Sequence, residues 1–306
     1  MSGFKNFAIA GVGRIGEFVA EELLKLKPDG RVSSVVILTR GRSDATLEKL
    51  SSLGATIVPV DWSSPSTITS ALASAHIEVV ISGLPVPAHH LQPTLADAAK
   101  QAGVKLFLPS EWGSNTTATG DNGKDDFSAA MQKMHKKLRE IDLPYALVAN
   151  GYWSDFIFIP NYSLWGWNVP EGKVDIWGKG DGPISFTTRR DVARFVAHIL
   201  TTLPPEQLYW KDFSLEGDRK TLNEICQGYQ AKTGKKLEIT YHPISEQETA
   251  MKENPQLSVP FIVAWGLINW DTGAAVLEKN EEKLSNRLWP DWNPTSAVDA
   301  LIETFN

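Results

Sequence analysis

Apolar residues in the first half of the chain come in short runs separated by longer amphipathic stretches. Runs at residues 7–10, 35–38, 56–60, 79–81, 104–108 and 144–149 have the length and apolar density of buried strands. Between them, residues 17–27, 44–53, 66–75, 91–102 and 125–141 carry apolar positions at helical spacing. Strands alternating with helices of this length predict βαβ units, hence an α/β fold with a doubly wound parallel sheet. Pro59 cannot donate to a sheet ladder, so the third strand is expected near a sheet edge or locally irregular.

The pattern changes after Asn150. Tyr152, Trp153, Phe156, Phe158, Tyr162, Trp165 and Trp167 crowd one segment, and a glycine-rich stretch at 178–182 and a helix at 189–200 follow. This divides the chain into a nucleotide-binding part, residues 1–150, and a smaller C-terminal region, residues 151–306. The second region is expected to bind substrate and to interleave partly with the first. The aromatic cluster, with Trp265, Trp270, Trp289 and Trp292, suits a pocket for a flat apolar molecule as well as it suits core packing.

The first strand runs into Gly11-Val12-Gly13-Arg14-Ile15-Gly16 and then into a helix. A strand, a GxGxxG turn and a helix are what a dinucleotide needs. Gly11 allows the tight turn, Gly13 lets the backbone approach a pyrophosphate, and Gly16 lets helix and strand pack closely. The helix N-terminus faces the negative charge. Arg14 and Ile15, inside the turn, are counted as cofactor contacts with the glycines. The second strand ends in Thr39-Arg40-Gly41-Arg42 with no acid until Asp44. Arginine there accommodates a ribose 2′-phosphate, so the expected cofactor is NADP(H), with Arg40 as the phosphate partner and Arg42 adding to the field. Asp61 could accept from the adenine amino group, or cap a turn or the next helix. Gly83 and Leu84, after the fourth strand, lie where a nicotinamide ribose passes in such a fold.

A net charge of −6 argues against a general partner among nucleic acids or anionic membranes. No apolar run approaches the roughly 20 residues that span a bilayer. The single cysteine, Cys226, rules out an internal disulfide and fits a reducing, cytoplasmic setting, with Cys226 as a buried structural thiol. His89 and His90 have no neighbouring ligand cluster in sequence, so no metal site is expected.

Leu108-Pro109-Ser110-Glu111-Trp112-Gly113 resembles the "PSE-aromatic-G" motif of the NmrA-like, isoflavone-reductase-like branch of atypical short-chain dehydrogenases. Residues 143–145 with 150–151, 178–181, Thr188 with Asp191, 221–224 and 234–235 agree with the same family, and Ala10 takes the place of its first turn glycine. The resemblance implies a Rossmann-like fold, NADPH as cofactor, and reduction of aromatic or enone-type small molecules by hydride transfer. It places Ser110 and Asn150 among the cofactor contacts. Some relatives instead sense NADP(H) without turnover, which is the alternative reading. Substrate would lie over Gly151, Tyr152 and Trp153.

Family reductases carry a lysine on the helix before the sixth strand, and an ungapped match puts Met131 there. Met131 belongs to the apolar stripe Phe127, Ala130, Met131, Met134, Leu138 and Ile141. Lys133 and His135 are the remaining catalytic candidates on this helix. Lys133 lies well off the stripe and His135 nearer to it, while Lys136 and Lys137 read as a solvated face.

Overall fold

The computed structural model describes residues 3–41, 44–115, 126–159, 164–255 and 258–305, with side chains from 131 onward in the helix that begins at Asp126. Arg42 and Tyr162 lie outside the described residues. The chain divides into two compact units. The first comprises Met1–Trp112, Ala129–Val148 and Val192–Phe213; the second comprises Gly113–Ser128, Ala149–Asp191 and Ser214–Asn306.

In the first unit, strands and helices alternate as β1 (Asn6–Ala10), α1 (Gly16–Leu24), β2 (Ser34–Thr39), α2 (Ala45–Ser52), β3 (Thr56–Pro59), α3 (Pro65–Ser74), β4 (Val79–Ser82), α4 (Gln92–Gln101), β5 (Leu106–Leu108), α5 (Asp126–Glu140) and β6 (Ala146–Ala149). The sheet order is β3-β2-β1-β4-β5, and every pairing is parallel. The order reverses between β1 and β4, which makes the crevice beyond their C-terminal ends the place where open α/β sheets take ligands. Contacts of α1 with α2, and of α3 with α4, follow from the double winding. This is the α/β architecture that the alternating pattern predicts, with β3 at the edge.

Ala8, Ala10, Val36, Leu38, Val80 and Phe107 pack with Ile68, Leu72, Leu95, Ala99, Met134 and Leu138 in one buried cluster. Parallel strands covered by helices must be apolar over most of their length, and β1, β2, β4 and β5 are. Among the described residues, a bridge between Phe107 and Tyr145, just before the sixth strand, links that segment to β5, with Phe107 N–H donating to Pro144 O at 2.8 Å. β6 pairs with the strand Lys211–Ser214.

The second unit holds two three-stranded sheets and a core rich in rings. Trp165 stacks on Trp270 at 4.8 Å, Tyr152 meets Trp270 edge-on at 5.1 Å, and Phe158 meets Trp167 edge-on at 4.8 Å. Glu216 is a buried polar hub. It accepts from Ser185 Oγ and from Arg219 Nε, and its backbone exchanges hydrogen bonds with the Asn286 side chain. The helix Leu222–Thr233 opens on a capping box between Thr221 and Glu224, and buries Cys226, whose thiol is pushed up to about 12 by burial. Among the described residues, no helix is long and apolar enough to cross a membrane.

Gly11 has φ +91°, and a Cβ added at Gly16 would stand 2.0 Å from the Gly11 carbonyl oxygen. Gly16→Ala is therefore expected to destabilise the protein by about 1–3 kcal/mol through backbone displacement. Urea denaturation of the two proteins measures this, and equal midpoints would contradict the close approach.

Candidate functional site

The glycine-rich turn closes over the end of β1. Besides the Gly16 contact, a Cβ at Gly83 would lie 2.5 Å from Gly11 O, so three chain segments meet with no room for side chains. At Gly13 the opposite holds: nothing of the protein lies within 4 Å of where a Cβ would be. The exposed Gly13 and Arg14 thus border open space. α1 begins directly behind, and no side chain caps its N-terminus at Ile15. Uncapped first-turn amides with their partial positive charge are what a pyrophosphate requires.

Arg40 follows β2, is exposed, and has no ion pair among the described residues. It adjoins in sequence an open groove lined by Thr39, Gly41, Leu47, Ile57 and Pro59. Asp61 is exposed and accepts from Ser63 N at 2.9 Å and Ser63 Oγ at 2.6 Å; those bonds hold its carboxyl below the usual range. Asp61 thus caps the turn that follows β3.

After β4, Gly83 and Leu84 are buried, and the Leu84 carbonyl gathers two partners. Ser110 Oγ donates to it at 2.8 Å, and His89 Nε2 lies 3.1 Å away. Ser110 N–H donates to Gln92 Oε1 at 2.8 Å, and Trp112 Nε1 donates to Ser82 O at 2.9 Å. These bonds staple residues 110–112 to the ends of β4 and α4. The staple presents Glu111 inward, buried, with Oε1 2.7 Å from His135 Nε2. His135 comes from α5 and stacks on Tyr145 at 5.6 Å.

The helix register is the one the apolar stripe implies. Met131, Met134 and Leu138 are buried, with Met131 only 2% exposed. Lys133 is exposed, away from His135 and Glu111, and Lys136 is exposed too. Lys137 is only partly exposed, paired with Asp97 at 2.7 Å. Of the two catalytic candidates on α5, the structure brings His135 against Glu111, just after β5, and leaves Lys133 exposed. Glu111 stood in the sequence only as a motif letter. Its spacing of 24 residues from His135 gives no local signal.

In the second unit, Asn150 is fully buried; its Nδ2 donates to Gly151 O at 3.1 Å, while Oδ1 finds no partner among the described residues. Trp153 Nε1 and Ser154 Oγ are buried in the same condition. Tyr152, Trp165 and Trp270 fill that unit's core. Burial pushes the Tyr152 phenol above its ordinary range.

A family model described as the NmrA-like family matches residues 7–297. The chain belongs to the NmrA-like family. Among curated relatives, this NmrA-like protein is 28% identical to quinone oxidoreductase 2 of Escherichia coli, with 88% of this chain and 87% of the relative covered. It is 26% identical to isoflavone reductase homolog P3 of Arabidopsis thaliana, with 98% of each covered. Its fold is shared with a leucoanthocyanidin reductase from Vitis vinifera solved with NADPH, at TM-score 0.82 and 20% identity over 98% of this chain and 99% of the other.

His89 yields a test of the stapled corner of this NmrA-like protein. Burial holds its imidazole below the ordinary 6.5, against the opposing effects of the Leu84 carbonyl and the Glu111 carboxylate. The unfolded chain therefore takes up the proton first as pH falls. The resulting stability is full above pH 6.5 and is lost progressively as pH drops toward the folded-state value. His89→Gln should flatten this limb in urea titrations at stepped pH; parallel wild-type and variant curves would count against it.

Proposed function

We propose that the protein is an NADPH-dependent reductase of a small aromatic or enone-type molecule. The observation that carries this reading is the cradle of the first unit: the closed glycine contact at Gly11, Gly16 and Gly83, the open face at Gly13, and the uncapped helix behind it. Gly11, Gly13, Arg14, Ile15 and Gly16 would hold the pyrophosphate, and Arg40 the 2′-phosphate. Gly83 and Leu84 would line the ribose, with Ser110 accepting through the lone pairs it does not use. Asp61 keeps acceptor capacity beyond its bonds to Ser63. Asn150, with its buried and unpartnered Oδ1, is our further candidate for a cofactor contact.

NADPH, when bound, supplies the hydride. The protein's part is to orient the acceptor, exclude water and deliver a proton. The names of the curated relatives, a quinone oxidoreductase and an isoflavone reductase homolog, support a conjugated carbonyl as acceptor. The NADPH bound to the leucoanthocyanidin reductase supports the cofactor. One observation favours a second reading. Met131, buried in the position of the family lysine, removes the usual acid and suits a protein that senses NADP(H) without turnover.

Wild type should bind NADPH in preference to NADH in fluorescence titrations. Arg40→Glu should weaken NADPH binding by about 10- to 100-fold, as expected for losing hydrogen bonds between charged groups, and leave NADH nearly unchanged. Equal losses for both cofactors would remove Arg40 from the 2′-phosphate. Absorbance of the reduced nicotinamide is then followed with quinones, enones and aromatic aldehydes. Tight binding with a flat trace throughout would select the sensor reading.

A further inference from the structure

Reduction of a carbonyl or enone needs a proton as well as a hydride, and Met131 cannot provide one. Three other side chains that carry an exchangeable proton are also unsuited. The Ser110 hydroxyl proton is committed to Leu84 O, burial disfavours ionisation of the Tyr152 phenol, and Lys133 faces outward. His135 lies four residues beyond Met131. On a helix that is the same face, one turn on, with Cβ atoms about 5–6 Å apart.

The environment of His135 is built. Its side chain is 8% exposed and that of Glu111 is 2% exposed, at a separation of 2.7 Å. A carboxyl buried this deeply is costly without a hydrogen-bonded partner. The bond to Glu111 is made at Nε2, and among the described residues no hydrogen bond is made at Nδ1. The ring rests on Tyr145, whose phenol oxygen accepts from Arg139 Nε at 3.2 Å. Glu111 cannot swing away easily, because residues 110 and 112 are pinned to Gln92, Leu84 and Ser82. His89, from the turn Val86–Leu91, also feels the Glu111 carboxylate.

We propose that His135 delivers the proton in this reduction and that Glu111 is its positioning residue. The inference rests on the reductase reading. By holding Nε2–H, Glu111 fixes the ring and leaves Nδ1 as the nitrogen that exchanges its proton. In balance, the substrate carbon gains the hydride as a new C–H bond, and the π pair of its double bond moves to the oxygen. That oxygen takes the proton from Nδ1 of the imidazolium, which is left as the neutral Nε2–H imidazole and regains one proton from solvent; NADPH would supply the hydride and its two electrons.

The test combines two readouts. The first is ¹⁵N NMR of the His135 ring, without and with NADP⁺. Wild type should show Nε2 protonated throughout and Nδ1 as the nitrogen that exchanges its proton, and the ring signals should shift on adding NADP⁺. Glu111→Gln should give mixed tautomers, with Glu111→Asp recovering most of the single form. The second is turnover with the quinone and enone panel. His135→Gln should lower kcat by about 10²- to 10⁴-fold, as for loss of a general acid, with NADPH affinity within about twofold of wild type. Glu111→Gln should lower kcat and leave KM in place. Adding Met131→Lys to His135→Gln should restore part of the loss.

If wild type turns over and His135→Gln matches it, the proposal is overturned while the reductase reading stands. If wild type binds NADPH but reduces nothing, both fall. A tautomer unchanged in Glu111→Gln removes Glu111 from the positioning role. Should His135→Gln fail to fold, the Glu111 variants carry both readouts.

Discussion

The carbonyl oxygen of Gly11 occupies space that two side chains would otherwise need. Because Gly16 and Gly83 have none, the exit of β1, the first turn of α1 and the exit of β4 can touch. The rest of the first unit's ligand edge depends on this contact. It sets the direction in which the α1 amides point, and it fixes Leu84, whose carbonyl holds Ser110 and His89. Ser110 and Trp112 in turn set Glu111, and Glu111 sets His135. A backbone contact at one end of the sheet is thereby linked, through a run of hydrogen bonds, to an imidazole on a helix far along the chain.

What the sequence made legible is local. Strand and helix periods, the glycine turn and the Arg40 position are written in neighbouring residues, and β3 at the edge follows from one proline. The apolar stripe on α5 fixes its register well enough to place Met131 inside and Lys133 outside, and both are found there. The pairing of Glu111 with His135 was not legible, because it depends on which strand end α5 crosses. The Ser185, Glu216 and Arg219 hub was hidden for the same reason: its members come from separate turns of the second unit.

The aromatic residues show where composition misleads. A segment dense in tyrosine and tryptophan reads equally well as a pocket wall or as a core. In the second unit Tyr152, Trp165 and Trp270 pack against one another, and Trp167 and Phe158 lie behind them. Gly266 admits the Trp165 ring, since a Cβ there would stand 2.7 Å from it. The rings thus lend stiffness to the segment that carries Asn150 and Trp153. That segment holds three buried polar atoms with no partner among the described residues, Asn150 Oδ1, Trp153 Nε1 and Ser154 Oγ.

The edge strand β3 has a consequence of a different kind. A free strand edge is a template for another chain, and aggregation through it grows with its length and flatness. β3 spans four residues and ends on Pro59, which offers no N–H, and the next residue's N–H is spent on Thr39 O. Little unpaired backbone is left for a neighbour to extend. Backbone pairing from copy to copy is thereby disfavoured along this side of the sheet.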